Sequence, residues 1–217
     1  GGNVAASPYA SDKIEYFTMA SDGGSNNFGS LTRTLRYAGS ANSPTRGLAA
    51  GSYSPVRTNI IDFVTIATTG DASDFGDLIS ARQIDTGTSS PTRAVFAAGE
   101  GSNPGSPQAN PASPYAENII EFVTIATKGN AQNFGDLTVA RSACDGVSDP
   151  TRFVIGGGYN PSNTNIIDFV RISSTGDATD FGDLSVARRN PAGTSDSTRG
   201  VFFGGNDSGG TNVIDFV

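Results

Sequence analysis

Residues Asn59–Leu78 read NIIDFVTIATTGDASDFGDL, and this stretch decides the fold because it returns. DKIEYFTMA begins at Asp12, NIIDFVTIA at Asn59, NIIEFVTIA at Asn118, NIIDFVRIS at Asn165 and NVIDFV at Asn212. The starts lie 47, 59, 47 and 47 residues apart, so one repeat carries 12 extra residues. A fixed period between about 20 and 50 residues marks a chain built by stacking one supersecondary unit.

The other landmarks keep step. FGSL at Phe28 and FGDL at Phe75, Phe134 and Phe181 follow at one offset, and then come SPTR at Ser43 and Ser90, DPTR at Asp149 and DSTR at Asp196. The Leu of each FGDL or FGSL precedes the Thr of TR by 14 residues in all four copies. The insertion therefore falls after the TR segment, within 99–118.

Each unit predicts about four short strands. TRGVFFGG (Thr198–Gly205) is β-branched or aromatic in its middle and closes on Gly-Gly. NIIDFVTIAT is apolar on both alternating faces, Ile61 and Phe63 on one and Ile60, Val64 and Ile66 on the other, the pattern of a strand buried on both sides. FGDLSVAR reads as a third strand, and the small residues between Arg188 and Ser197 as a fourth. No segment offers a capped amphipathic helix, so the expectation is an all-β chain, a single domain over 1–217. Four strands per unit of about 47 residues suit a β-propeller blade. The small residues of ACDGVSD and NPAGTSD suit the narrow space near a propeller axis. Units starting near 12, 59, 118, 165 and 212, with partial units at both ends, give five blade positions or a fragment of a larger ring.

These segments resemble the kelch and galactose-oxidase-like propeller repeats. More specifically, TRGVFFGG, NIIDFVTIATTGDASDFGDL and SVAR are similar to kelch-like repeats of structural and tail-fibre proteins of marine tailed phages. The resemblance spans essentially the whole chain. It departs from ordinary kelch where a Trp is usual in the last strand, since Phe28, Phe75, Phe134 and Phe181 stand there. It implies a virion or extracellular structural or receptor-binding module, with other structural proteins and cell-surface glycans as partners. A kelch-type cytoplasmic interaction scaffold is the alternative, and a carbohydrate-active enzyme the third reading.

Composition narrows these classes. Among 217 residues there are 28 Gly, no His, no Trp, one Cys and one Met, and 14 basic against 21 acidic residues give a net charge of −7. Without a block of Lys or Arg, nucleic-acid binding is not expected. No apolar run approaches the roughly 18–20 residues of a membrane-spanning helix. A lone Cys144 rules out an internal disulfide framework. Without His there is no Ser-His-Asp triad, no Cys-His pair and no imidazole metal site. The copper chemistry of galactose oxidase, whose ligands include histidines, is therefore not expected, and no cofactor is. Two carboxylates of a glycosidase would have to be Glu100 and Glu117, the distinctive glutamates of the insertion.

Three constellations are candidate sites. Asp177, Asp180 and Asp183 crowd around Gly182, but an EF-hand loop needs oxygen ligands at positions 1, 3 and 5 and Glu at 12. The sister copies replace these residues by Asn130, Asn133 and Asp136 and by Gly24, Asn27 and Ser30, so turn formation is expected over metal binding. Arg46, Arg93, Arg152 and Arg199 recur in every TR, and Glu15, Asp62, Glu121, Asp168 and Asp215 in every long strand. The arginines either form a ring for a carboxylate or sugar acid, or pair with those acids, and the equal rhythm of both signs favours pairing. The insertion contributes Asn103, Gln108, Asn110 and Tyr115, amides and an aromatic ring suited to a sugar face. A homo-oligomer stays open.

Overall fold

The computed structural model describes residues 10–53, 56–101, 109–110 and 113–217, and among them there is no helix. The first unit gives β1 (Ser11–Tyr16) and β2 (Asn26–Leu35), an antiparallel pair. The second gives β3 (Gly39–Asn42), β4 (Arg46–Tyr53), β5 (Arg57–Thr65) and β6 (Ser73–Asp77), a four-stranded antiparallel meander. After β7 (Arg82–Gln83) the third unit gives β8 (Thr86–Ser89) and β9 (Arg93–Ala97). The insertion follows as β10 (Glu100–Gly101), β11 (Ala109–Asn110) and β12 (Ser113–Glu117), and the unit ends with β13 (Ile119–Thr124) and β14 (Gln132–Asp136). The fourth is β15 (Asp145–Ser148), β16 (Arg152–Gly156), β17 (Ile166–Arg171) and β18 (Thr179–Asp183). The last is β19 (Ala192–Ser195), β20 (Gly200–Phe203) and β21 (Ile214–Phe216). The insertion forms a small sheet of its own in the order β11-β12-β10-β7.

The expected third strand is shorter than FGDLSVAR. Pairing with the long strand stops at the Asp of FGD, as in Ile166 opposite Asp183, and Leu184 donates its N–H to the Asn165 carbonyl. From there the chain leaves for the next sheet, because its Arg188 is drawn into a buried ion pair there.

From the second unit on, the sheets pack face to face in chain order, each pair enclosing an apolar cluster. Leu48, Ala50, Ile61 and Phe75 meet Phe96, Val123 and Ile125; Val95, Ala97, Ile120 and Phe134 meet Phe153, Ile155, Val170 and Ile172; Val154, Ile167 and Leu184 meet Phe202. Large residues are set against small ones, as close packing requires. A Cβ on Gly156 would come within 3.0–3.2 Å of the Phe202 ring. The long strand is buried on both faces in its purest form at β13, where only Thr124 is exposed, whereas Ile66 is exposed and its counterparts Ile125 and Ile172 are buried.

Successive sheets are also bonded edge to edge. Gly70 and Ala72 donate to the carbonyls of Phe28 and Ser30, Gly129 and Ala131 to Phe75 and Asp77, and Gly176 and Ala178 to Phe134 and Asp136, all at 2.7–2.9 Å. The approach is too close for a side chain. A Cβ built on Gly29, Gly76 or Gly135 would fall on the carbonyl of Gly70, Gly129 or Gly176. No such turn lies against β18 among the described residues: Gly182 faces open space, and Phe181 is 40 % exposed where Phe75 and Phe134 are 2 %.

The Phe of each FGSL or FGDL packs on the long strand. Tyr16–Phe28, Phe63–Phe75, Phe122–Phe134 and Phe169–Phe181 are edge-to-face pairs with ring centres 5.8–6.1 Å apart. The Ser or Asp that opens each TR turn accepts local backbone bonds: Ser43 Oγ from the N–H of Thr45 and Arg46, Asp149 Oδ1 from those of Thr151 and Arg152. The short strands β3, β8, β15 and β19 lie side by side in that order. The turns that follow them, Ser43–Pro44, Ser90–Pro91, Asp149–Pro150 and Asp196–Ser197, surround one cavity of about 520 Å³.

Candidate functional site

The recurrent charges serve the fold, and by a different pairing from the one expected. Arg46, Arg93, Arg152 and Arg199 make no ion pair among the described residues. They lie instead over the rings of Phe63, Phe122, Phe169 and Phe216 at 4.6–5.6 Å, and Arg46 and Arg93 donate to the carbonyls of Ile125 and Ile172 in the next sheet. Four of the five acids of the long strands, all but Glu15, are taken by a second arginine series. Arg141 Nη1 meets Asp168 Oδ2 at 2.7 Å, Arg188 meets Asp215 at 2.7 Å, and Arg82 meets Glu121. Arg141 and Arg188 also donate to the carbonyls of Ile155 and Phe202. In the first copy Leu35 holds the equivalent position, and Arg33, two residues earlier, reaches Asp62 at 3.0 Å. Each of these four also accepts a backbone N–H from the segment that brings the arginine: Thr32 within β2, or Ile79, Thr138 or Ser185 in the connectors. The pair thus clamps the chain as it crosses between sheets, with Arg82, Arg141, Glu121 and Asp168 fully buried.

The aspartate cluster is likewise structural, but only partly as a local turn. Asp177 Oδ1 accepts the N–H of Asp136 in the preceding sheet at 3.0 Å, as Asp71 and Asn130 accept those of Ser30 and Asp77. An Asn amide oxygen serves this purpose as well as a carboxylate, which explains their exchange between copies. Asp180 accepts from Gly182 two residues on, a local turn bond. No group of three or more His, Cys, Asp or Glu that could hold a metal ion occurs among the described residues, Asp183 included.

Of the insertion residues, Asn103 and Gln108 lie outside the described residues. Asn110 is placed in β11, without a described side chain. Tyr115 is exposed, with Arg57 over its ring at 5.3 Å. Glu117 is buried against Arg82 and accepts from Ser80, while Glu100 pairs with Arg57 at 2.8 Å. The two glutamates are thus tied to different partners.

The residues that do converge are ones the repeat does not preserve. At the end of the short strands away from the TR turns, a polar cup of about 690 Å³ is lined by four equivalent two-residue bridges. Arg36 meets Tyr53, Gln83 meets Glu100, Ser142 meets Tyr159 and Arg189 meets Asn206, each partner seventeen residues on. Around the constant backbone no two copies carry the same pair of side chains. Beside them Tyr37, Ala143 and Asn190 occupy one repeat position in the left-handed region, with φ of 56°, 56° and 51°. Such backbone costs about 1–3 kcal/mol for non-glycine residues and gathers at functional sites. The third unit has the β-branched Ile84 there, for which that region is closed. Ile84 turns into the core, and Asp85 faces the cup instead.

The cup carries strong electrostatics. Arg36 lies over Tyr53 at 4.9 Å and Tyr37 at 5.5 Å, Arg57 over Tyr53 at 5.5 Å, and Arg189 over Tyr159 at 5.3 Å. Burial pushes the Asp85 carboxyl up to about 7, with the Glu100 charge adding to the shift and bonds from Ala143 and Cys144 opposing it. Burial and the nearby Asp85 push the Cys144 thiol up as well, away from its thiolate form. The folded chain holds the Asp85 proton where the unfolded chain releases it. Stability is therefore expected to fall as pH rises from about 4 to about 7. Urea unfolding across that range should show the slope, and Asp85→Asn should remove it.

Sequence reasoning missed this site because its members share no motif. The usable signal lay in the alignment of the copies, where the fifth to seventh residues after the Leu of FGDL or FGSL vary directly after a position that is Arg in three copies of four. No protein-family model matches the chain, and no curated protein matches it. No helix of the described residues is long and apolar enough to cross a membrane.

Proposed function

We propose that the chain is a β-propeller module of a virion or extracellular structure, acting by recognition and not by catalysis, with the cup as its binding face. In this reading the stacked sheets are blades, the short strands line the axis, and other structural proteins and surface glycans are the partners. The observation that carries it is the contrast between the two ends of the short strands. The TR turns at one end repeat nearly the same residues, whereas no two bridges at the other carry the same pair: Arg with Tyr, Gln with Glu, Ser with Tyr, and Arg with Asn. A regular scaffold bearing varied polar and aromatic side chains at one concave end is the arrangement of a binding site.

The remaining chemistry supports recognition. Cys144 is buried, and Glu117 and Glu100 are each engaged by an arginine. The test is an immobilised glycan array read with the wild type, with Tyr159→Ala in the cup and with Pro91→Ala at the other end. Binding that is lost with the first variant and kept with the second supports the proposal. Binding indifferent to Tyr159→Ala contradicts it, as would glycoside hydrolysis abolished by Glu100→Gln or Glu117→Gln.

A further inference from the structure

We infer that the cup takes a carboxylate-bearing sugar, its carboxylate held by Arg36 and Arg189 and its ring laid against the tyrosines. This rests on the cup being the binding face and names the ligand class. Nine of the twelve arginines are neutralised or supported in one of three ways. One series is paired with buried acids, the TR series lies over phenylalanines near the opposite end, and Arg57 in the cup is paired with Glu100. Arg36 and Arg189 differ from the paired ones. Both are half-buried in the cup wall, and neither has an ion pair or a side-chain hydrogen bond among the described residues. Each guanidinium rests over aromatic rings, Arg36 over Tyr53 and Tyr37 and Arg189 over Tyr159, which supports it in the cup wall and reduces the side-chain freedom lost on binding.

Two unneutralised guanidinium groups in one cavity of a chain of net charge −7 select an anion. A planar fork favours a carboxylate, which it can bind bidentately. The rest of the cup argues for a sugar body. Tyr37 and Tyr159, each with one arginine over its ring, supply apolar ring surface, and Gln83 and Asn206 supply amides for hydroxyl groups. Asp85 sets the sign of the pH dependence. It is faced by Glu100, Arg82 and Cys144 and shares the cup with Arg36, Arg57 and Arg189. As pH rises through about 7 it ionises, and the added negative charge weakens an anion's binding.

The experiment is calorimetric titration of the full chain with glucuronic acid and N-acetylneuraminic acid, with glucose and acetate as the uncharged and sugar-free controls. At least one sugar acid should bind ten-fold or more tightly than either control. Arg36→Gln and Arg189→Gln should each weaken it ten-fold or more, with melting temperatures close to wild type because neither side chain supports an ion pair. Arg199→Gln, at the other end, should leave it unchanged, and Asp85→Asn should flatten its dependence on pH between 6 and 8. Glucose binding as tightly as the acids, with the Tyr159→Ala dependence retained, overturns the carboxylate assignment while the cup stands as a binding face. Acetate binding as tightly overturns the sugar. Sugar-acid affinity unmoved by Arg36→Gln and Arg189→Gln, or binding by none of the probes, overturns the inference.

Discussion

Asp168→Ala is expected to cost about 3–5 kcal/mol, because it leaves the fully buried guanidinium of Arg141 without its counter-charge. For a domain of this size that corresponds to a melting temperature lower by roughly 6–20 °C. The loss has two parts. The carboxylate neutralises Arg141 at 2.7 Å, and it accepts both the N–H and the hydroxyl of Thr138 in the connector between sheets. Removing it frees the crossing as well as the charge. Arg152→Ala, in the recurrent TR, removes only an exposed guanidinium lying over Phe169, an arrangement worth about 0.5–1 kcal/mol. Differential scanning calorimetry of the two variants separates the two arginine series. Equal losses would contradict the assignment of the acids to Arg141 and its equivalents.

Gly135→Val should be nearly as damaging. Its Cβ would fall on the Gly176 carbonyl, at the place where Gly176 and Ala178 bond the edge of the preceding sheet. Forcing these backbones apart costs about 1–3 kcal/mol in overpacking, and the left-handed φ adds a similar amount. Gly182→Val is the matched control, since Gly182 has a comparable φ but nothing within 4 Å of a built Cβ. The difference between the two variants in urea unfolding therefore reports the edge contact alone. No difference would mean that the turns do not lock the sheets together.

Much of this fold was legible in the sequence because it is repetitive. The recurrence of NIIDF, FGDL and TR located the strands, the insertion and the all-β class, since a strand buried on both faces writes itself as a continuous apolar run. What escaped was which charge meets which. Arg152 and Asp168 recur with equal rhythm, yet their strands present them to different surroundings, and the true partner Arg141 sits in a connector that reads like the end of a strand. Pairing across sheets depends on where the chain leaves one sheet for the next, and no local pattern encodes that.

The aspartates show the same limit in milder form. Asp180 acts within its own turn, as composition suggests, but Asp177 reaches the preceding sheet at 3.0 Å. The cup was the least visible feature. Its eight bridge residues come from four units in pairs seventeen residues apart, and only the fold draws them together. The side chains that recur hold the sheets to one another, and the ones that vary face the cup.

The most direct test of that division is amide chemical-shift mapping by NMR as a bound glycan or sugar acid is titrated into the labelled chain. Shifts centred on Arg36, Gln83, Ser142 and Arg189 and on their partners Tyr53, Glu100, Tyr159 and Asn206 are the predicted result. Shifts centred instead on the turns at Ser43, Ser90, Asp149 and Asp196 would contradict it.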